Sequence, residues 1–173
     1  MRESEKQANL TPEEVSRYAR HLSLPEIGLT GQKKLKTSSV ITIGTGGLGS
    51  PLLMYLAAAG IGRIGIVDFD LVEDSNLQRQ IIHTTTSIGT EKTDSAKKHL
   101  LKINPYCQID VFNKKLTRNN ALDILNKYDV ICDCSDNFPT RYLINDASTI
   151  LGKPYVYGSI AGFEGQASVF NLT

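Results

Sequence analysis

The chain has 173 residues, 40% of them hydrophobic and 21% charged, with a formal net charge of +1. That length supports one domain with a real core, and the near balance of charge excludes a global field for nucleic acid or an anionic membrane. No apolar run reaches the ~18 residues of a membrane span, and the opening MRESEKQANL resembles neither a signal nor a transit peptide, so a cytoplasmic or plastid-stromal protein is expected.

In chain order, residues 1–10 read as a polar arm ahead of a single domain over 11–173. Thr11-Pro12-Glu13-Glu14 opens a helix, with a Thr cap, Pro at the first position and Glu at the third. The helix is expected to run to about Leu24, where Pro25 stops it. A short helix follows over Gly31 to Lys36, then a buried strand, Val40 to Ile43. After a glycine turn comes a helix over Leu52 to Ala59, ended by Gly60 and Gly62, and a second strand, Arg63 to Asp68. Residues 69–92 are polar and irregular, and long ordered connections tend to carry function. Further on, the pattern predicts a helix over Thr93 to Ile103 and a strand over Gln108 to Asn113. Thr117 caps a helix to Lys127, and Tyr128 to Cys134 is a strand ending in Ser135-Asp136-Asn137. Phe138 to Leu151 is helical, and Tyr155 to Gly158 and Gln166 to Leu172 are strands. Lys33, Lys34, Lys36, Lys97 and Lys98 read as solvated helix faces, and Tyr18 and Tyr142 as packing residues.

Strands alternating with helices mean an α/β fold, a Rossmann-like doubly wound and mostly parallel sheet. The final strand reaches Thr173 without a cap, so the chain is expected to continue into a longer protein, with the C-terminal part of the fold absent. The three cysteines, Cys107, Cys132 and Cys134, have neither disulfide nor zinc-finger spacing and read as small buried hydrophobes.

Gly44-Thr45-Gly46-Gly47-Leu48-Gly49 lies between a strand and a helix, where backbone amides can meet a pyrophosphate. The first glycine makes the turn, the second leaves room for the ligand, and the third lets helix pack on strand. Asp68 ends the next strand, about 20 residues on, where a ribose hydroxyl would bind. No Gly-Lys-Ser/Thr follows the glycines, so phosphate charge must be met by cations elsewhere, which draws attention to Arg79 and Lys92. Both a dinucleotide enzyme and an adenylating enzyme fit at this point. Against the former, His21, His83 and His99 do not cluster and no Tyr-x-x-x-Lys is present.

The segments Arg17-Tyr18-Ala19-Arg20-His21, Asp68-Phe69-Asp70, Ser75-Asn76-Leu77-Gln78-Arg79-Gln80, Cys134-Ser135-Asp136-Asn137 and Gly162-Phe163-Glu164-Gly165-Gln166 extend the glycine motif. Together they resemble the E1-like adenylyltransferases of ThiF and MoeB type. The resemblance implies ATP-dependent adenylation of the C-terminal Gly-Gly carboxylate of a ubiquitin-like sulfur carrier of the MoaD or ThiS type. The acyl-adenylate then receives sulfur, in molybdenum-cofactor or thiamine biosynthesis or in tRNA thiolation. It also implies a nucleotide loop of Gly44, Gly46, Gly47 and Gly49, with Asp68 on the ribose. Asn76, Arg79 and Lys92 would hold the triphosphate, and Asp136 would ligate Mg²⁺. Arg20 would reach across a homodimer to the partner's phosphates. Longer members carry a Zn²⁺ site, whose ligands are absent from this sequence, and many have a sulfurtransferase domain.

Each residue also has a plainer reading. Arg79 is then a loop arginine in a surface salt bridge and Lys92 a solvated lysine before a helix. Asp136 could cap the following helix, and Arg17 rather than Arg20 could be the functional arginine. Gln80 and Asn137 read as loop supports. Two other functions stay open: an NAD-dependent oxidoreductase, and an E1-like module that binds nucleotide or carrier without turnover.

Overall fold

The computed structural model describes residues 9–172. Most of the expected polar arm lies outside them. Asn9 belongs to the folded part, since its side-chain oxygen accepts from Lys33 Nζ at 3.2 Å and its carbonyl from Lys36 Nζ at 3.0 Å.

The Thr11 signal works as read. Glu14 N–H donates to Thr11 Oγ1 and Thr11 N–H to Glu14 Oε2, closing a capping box on α1, Pro12–Arg17. The expected single helix is broken, however, and α2 spans Ala19–Leu22. The break falls at Tyr18, a buried ring whose hydroxyl accepts from Asn104 Nδ2 at 2.7 Å. That long-range tie overrides local helix propensity. Next comes α3, Gly28–Thr37. Lys36 does not belong to a solvated face: its ammonium pairs at 2.6 Å with Glu14, a carboxylate only 2% exposed.

Five parallel strands follow the expected alternation. They are β1 (Ser39–Ile43), β2 (Arg63–Asp68), β3 (Gln108–Asn113), β4 (Val130–Asp133) and β5 (Tyr155–Ala161). A sixth, β6 (Glu164–Phe170), returns antiparallel against β5. The helices between them are α4 (Gly49–Ala59), α5 (Lys92–Ile103), α6 (Ala121–Leu125) and α7 (Phe138–Leu151). Thr117 heads a turn instead of α6, because its N–H donates to Asn120 Oδ1 and the helix starts one residue after Asn120.

The sheet order is β3-β2-β1-β4-β5-β6. The chain therefore winds outward from β1 to β3, crosses back, and winds the other way from β4. Alternation in the strands feeds two cores. Val40, Ile64, Ile66 and Cys132 pack with Leu53 and Ala57 of α4 and Leu100 of α5. Ile41, Ile43, Val67 and Ile131 pack on the other face with Ile124 of α6 and Ile144 of α7. Between β1 and β4, where the winding reverses, the carboxyl ends of the strands leave a crevice, the place where open α/β sheets take ligands.

A cleft at the switch point

The crevice is a cleft of about 270 Å³ lined by the carboxyl ends of β1 and β2 and by the residues just after β3 and β4. Its floor is the glycine turn. Gly44 has φ +99°, a left-handed conformation that disfavours side chains, and a Cβ there would stand 2.8 Å from the Cys134 carbonyl. Gly44, Gly46 and Gly47 line the cleft. Gly49 does not. It packs the first turn of α4 onto the turn so closely that a Cβ would lie 2.1 Å from the Gly44 carbonyl.

A chain of carboxylates fastens this floor to one wall. Asp68 Oδ2 accepts from Thr45 N–H at 2.8 Å and from Thr45 Oγ1 at 2.7 Å. Asp68 Oδ1 accepts from Asp70 N–H at 3.0 Å. Asp70 in turn holds Lys92 twice: its carbonyl accepts the Lys92 N–H at 3.0 Å and its carboxylate pairs with Lys92 Nζ at 2.9 Å. Lys92 is 8% exposed and Asp70 half exposed, so the cation is stored in the cleft wall by a partner that solvent reaches. Asp68 thus anchors the loop in this structure, which its ribose-binding expectation did not include.

Arg79 lies along Gly47, lines the cleft, and is steadied by Nη1 donating to the Ser75 carbonyl at 3.3 Å. Gln80 is buried beside Gly46 and its Oε1 has no hydrogen-bond partner among the described residues. Asn76 stands apart from the cleft lining, where its Oδ1 accepts from Glu73 N–H and closes a 3₁₀ turn, Asp74–Asn76.

The opposite wall follows β4. Asp136 is exposed and lines the cleft. The helix cap is Asn137, whose Oδ1 accepts from Thr140 N–H at 3.0 Å. The Ser135–Asp136 turn is clamped from both sides. Ser135 N–H donates to the buried Asp133, and the Ser135 carbonyl accepts from Arg141 Nη2 at 3.0 Å. The Asp133 carboxylate also takes the Tyr155 hydroxyl at 2.8 Å. Cys134 lines the cleft, but burial pushes its thiol up to about 12, and burial also takes Cys107 and Cys132 to about 11. None of the three is a thiolate at neutral pH.

Sequence reasoning gave no role to Asp70, Phe69, Lys114 and Lys115, all of which line the cleft. The two lysines follow the carboxyl end of β3, and that position in a parallel sheet was the signal available for them. Lys115 stands 5.9 Å from the Phe69 ring centre.

Arg20 is exposed on α2 and lies outside the cleft lining. Arg17 donates to the Ile103 carbonyl at 2.8 Å and covers the Tyr106 ring. Tyr142 is not a packing residue: it is 67% exposed on α7.

The site is thus an amide-lined turn ringed by Arg79, Lys92, Lys114 and Lys115, with one carboxylate opposite, suited to a polyanion and a divalent cation. Among the described residues, no cluster of three or more His, Cys, Asp or Glu side chains could hold a metal alone. The exposed Asp136 carboxylate at the cleft wall fits a metal brought in with phosphate oxygens.

The ThiF family model matches residues 18–173. The chain is 55% identical over 161 residues to the probable adenylyltransferase/sulfurtransferase MoeZ of Mycobacterium tuberculosis, covering 93% of this chain and 41% of that protein. It is 51% identical over 161 residues to the sulfur carrier protein adenylyltransferase of Thermus thermophilus, covering 93% and 59% respectively. Among solved structures, PaaA superposes with a TM-score of 0.84 at 25% identity, over 99% of this chain and 56% of that one. The chain spans about half the length of the curated relatives it matches. With a family model matching most of its length and relatives at about half identity, the chain belongs to the ThiF family.

Proposed function

We propose that this chain adenylates the C-terminal carboxylate of a ubiquitin-like sulfur-carrier protein ending in Gly-Gly, with ATP as the second substrate. The observation that carries the reading is the convergence of Arg79, Lys92, Lys114 and Lys115 on the glycine turn, with Asp136 opposite. Two of the relatives are named for adenylyl transfer, one of them to a sulfur carrier.

The chemistry needs little acid–base help. A carboxylate is already ionised at neutral pH. One of its oxygens forms a bond to the α-phosphorus, the bridging oxygen toward the β-phosphorus leaves with the electron pair, and the products are acyl-adenylate and pyrophosphate. The difficulty is bringing an anion to a polyanion, so rate comes from positioning and charge neutralisation. The glycine turn offers amides to the phosphates, and Asp68 and Asp70 stand on the ribose side. Arg79 meets charge that grows on the departing pyrophosphate. Lys92 meets the phosphates while Asp70 keeps it in the cleft wall. Asp136 would hold Mg²⁺, which supplies charge neutralisation when bound. The closed bonding of Arg17 leaves Arg20 as the arginine to reach a partner subunit's phosphates in a homodimer. No helix among the described residues is long and apolar enough to cross a membrane, and we place the protein in the cytoplasm or plastid stroma.

Carrier-dependent ATP–pyrophosphate exchange tests this. The chain, Mg²⁺ and an intact carrier should give exchange, and the same carrier without its last glycine should not. ATP binding without exchange would favour a non-catalytic module. Preference for NAD over ATP without Mg²⁺ dependence would favour an oxidoreductase and overturn the proposal.

A further inference from the structure

The phosphate end of the cleft is built from two segments far apart in sequence, the glycine turn after β1 and the first turn of α5. Among the described residues, no hydrogen bond joins them directly. At the cleft surface they are tied by the carboxylate chain from Thr45 through Asp68 and Asp70 to Lys92. Below it lies His83, a titratable side chain only 5% exposed that the proposed chemistry leaves unused.

The His83 ring bridges the same two segments. Its Nδ1 is 2.9 Å from Ser95 Oγ, three residues beyond Lys92 in α5. On the other side it meets the backbone of Thr45. Its Nε2 is buried and makes no hydrogen bond of normal geometry among the described residues, although Thr45 lies beside it, with its N–H held by Asp68 and its carbonyl accepting from Ser50 Oγ. A buried polar atom left unpaired is costly, and such atoms call for an explanation.

We propose that His83 is a positioning residue of the adenylation site, a wedge between Thr45 and Ser95 that sets the distance between the turn receiving the phosphates and the lysine that neutralises them. This rests on the adenylation reading above. The wedge works as a neutral ring. Burial and then the Lys92 ammonium hold its pKa below the ordinary imidazole range, with His99 adding to that push, while the Thr45 backbone and Asp68 oppose it. A proton on the ring would set a second cation behind Lys92.

The test compares His83→Ala and His83→Asn in the whole chain. The first removes the wedge, and the second keeps a polar side chain without a titratable ring. Amide hydrogen exchange should rise ~10-fold or more in both segments, 44–50 and 92–96, for His83→Ala, and far less for His83→Asn. With carrier, ATP and Mg²⁺, His83→Ala should lower pyrophosphate exchange at saturating ATP by ~10–100-fold, with the KM for ATP changed less than threefold. The wild-type rate should fall only on the acid side of the ordinary imidazole range, and His83→Asn should lack that fall. Unchanged protection, loosening confined to one segment, or an acid limb that persists in His83→Asn would each overturn the wedge. Absence of ATP binding and of exchange in the wild type would instead overturn the adenylation reading, while the protection of the two segments still decides whether His83 ties them.

Discussion

Two walls face each other across the cleft, and they differ in how much of their bonding is already used. On the Asp68 side, Thr45, Asp68, Asp70 and Lys92 are bonded to one another before any ligand arrives. On the Asp136 side, the backbone turn is clamped but the outward groups are exposed, and Asp136 Oδ1 accepts only a 3.3 Å bond from its neighbour Asn137 Nδ2 among the described residues. Asp136 is exposed, as are Phe138 and Tyr142 of α7 and Ile160 and Phe163 of the β5–β6 hairpin. Reorganisation during reaction slows it, so a site that meets developing charge is best built in advance. Large exposed apolar side chains, by contrast, suit contact with another surface. The first wall suits a small polyanion, and the second suits a large partner.

The hardest test of the prebuilt wall is Gly49→Ala. The new Cβ would stand 2.1 Å from a backbone carbonyl that has nowhere to go. We expect a loss of about 3 kcal/mol of stability and of ATP binding, read by thermal melting and calorimetry. On the exposed wall, Gly162→Ala meets nothing within 4 Å and strains only a φ of +61°, so it should cost about 1 kcal/mol and spare ATP binding. Similar effects from the two would erase the contrast.

The next largest effects concern charge. Arg79→Ala and Lys92→Ala should each lower pyrophosphate exchange ~10²–10³-fold while weakening ATP binding much less, because growing charge on the leaving group is what they meet. Equal losses in binding and rate would mean that they only hold the ground state.

The base of the exposed wall is a milder case. Tyr155→Phe removes the only side-chain donor to the Asp133 carboxylate among the described residues and should cost about 1–2 kcal/mol. Burial, then the bond to Asp133, raises the Tyr155 pKa above its ordinary 10.0. The protonated phenol therefore stabilises the fold in full below that value, and the contribution fades as pH rises through the folded one. Urea unfolding at a series of alkaline pH values should show a declining limb in the wild type that is shallower in the variant, where Tyr128 and the buried thiols still contribute theirs.

Much of the strand and helix frame, and of the first wall, was legible from sequence because those signals are local. The bounds of β2, β3 and α7 coincide with the expected Arg63–Asp68, Gln108–Asn113 and Phe138–Leu151, where alternation or a Pro and Gly pair punctuates the chain. The glycine turn and Asp68 follow a spacing rule, and the sheet places them together. What sequence did not show depends on partners far along the chain. Tyr18 breaks a helix because of Asn104, 86 residues on. Lys36 and Glu14 neutralise each other across 22 residues, as do Lys92 and Asp70. The β5–β6 hairpin extends further toward its tip than the pattern indicates, because β6 is exposed throughout and β5 is evenly half-buried over residues 156–159, so neither alternates.

The smallest effect on the fold should come from Phe163, and it separates the two walls most cleanly. Its side chain is fully exposed at the hairpin tip, at 110% of the reference area, so the folded chain gains nothing from it. Phe163→Ser should leave stability within about 0.5 kcal/mol of the wild type, and ATP affinity should be unchanged because the residue lies outside the cleft lining. If the exposed wall grips the carrier, the carrier concentration for half-maximal pyrophosphate exchange should rise several-fold while the rate at saturation holds. A drop in ATP affinity would show that the walls are coupled. Unchanged carrier dependence would move the carrier's grip elsewhere and leave the hairpin face to some other contact.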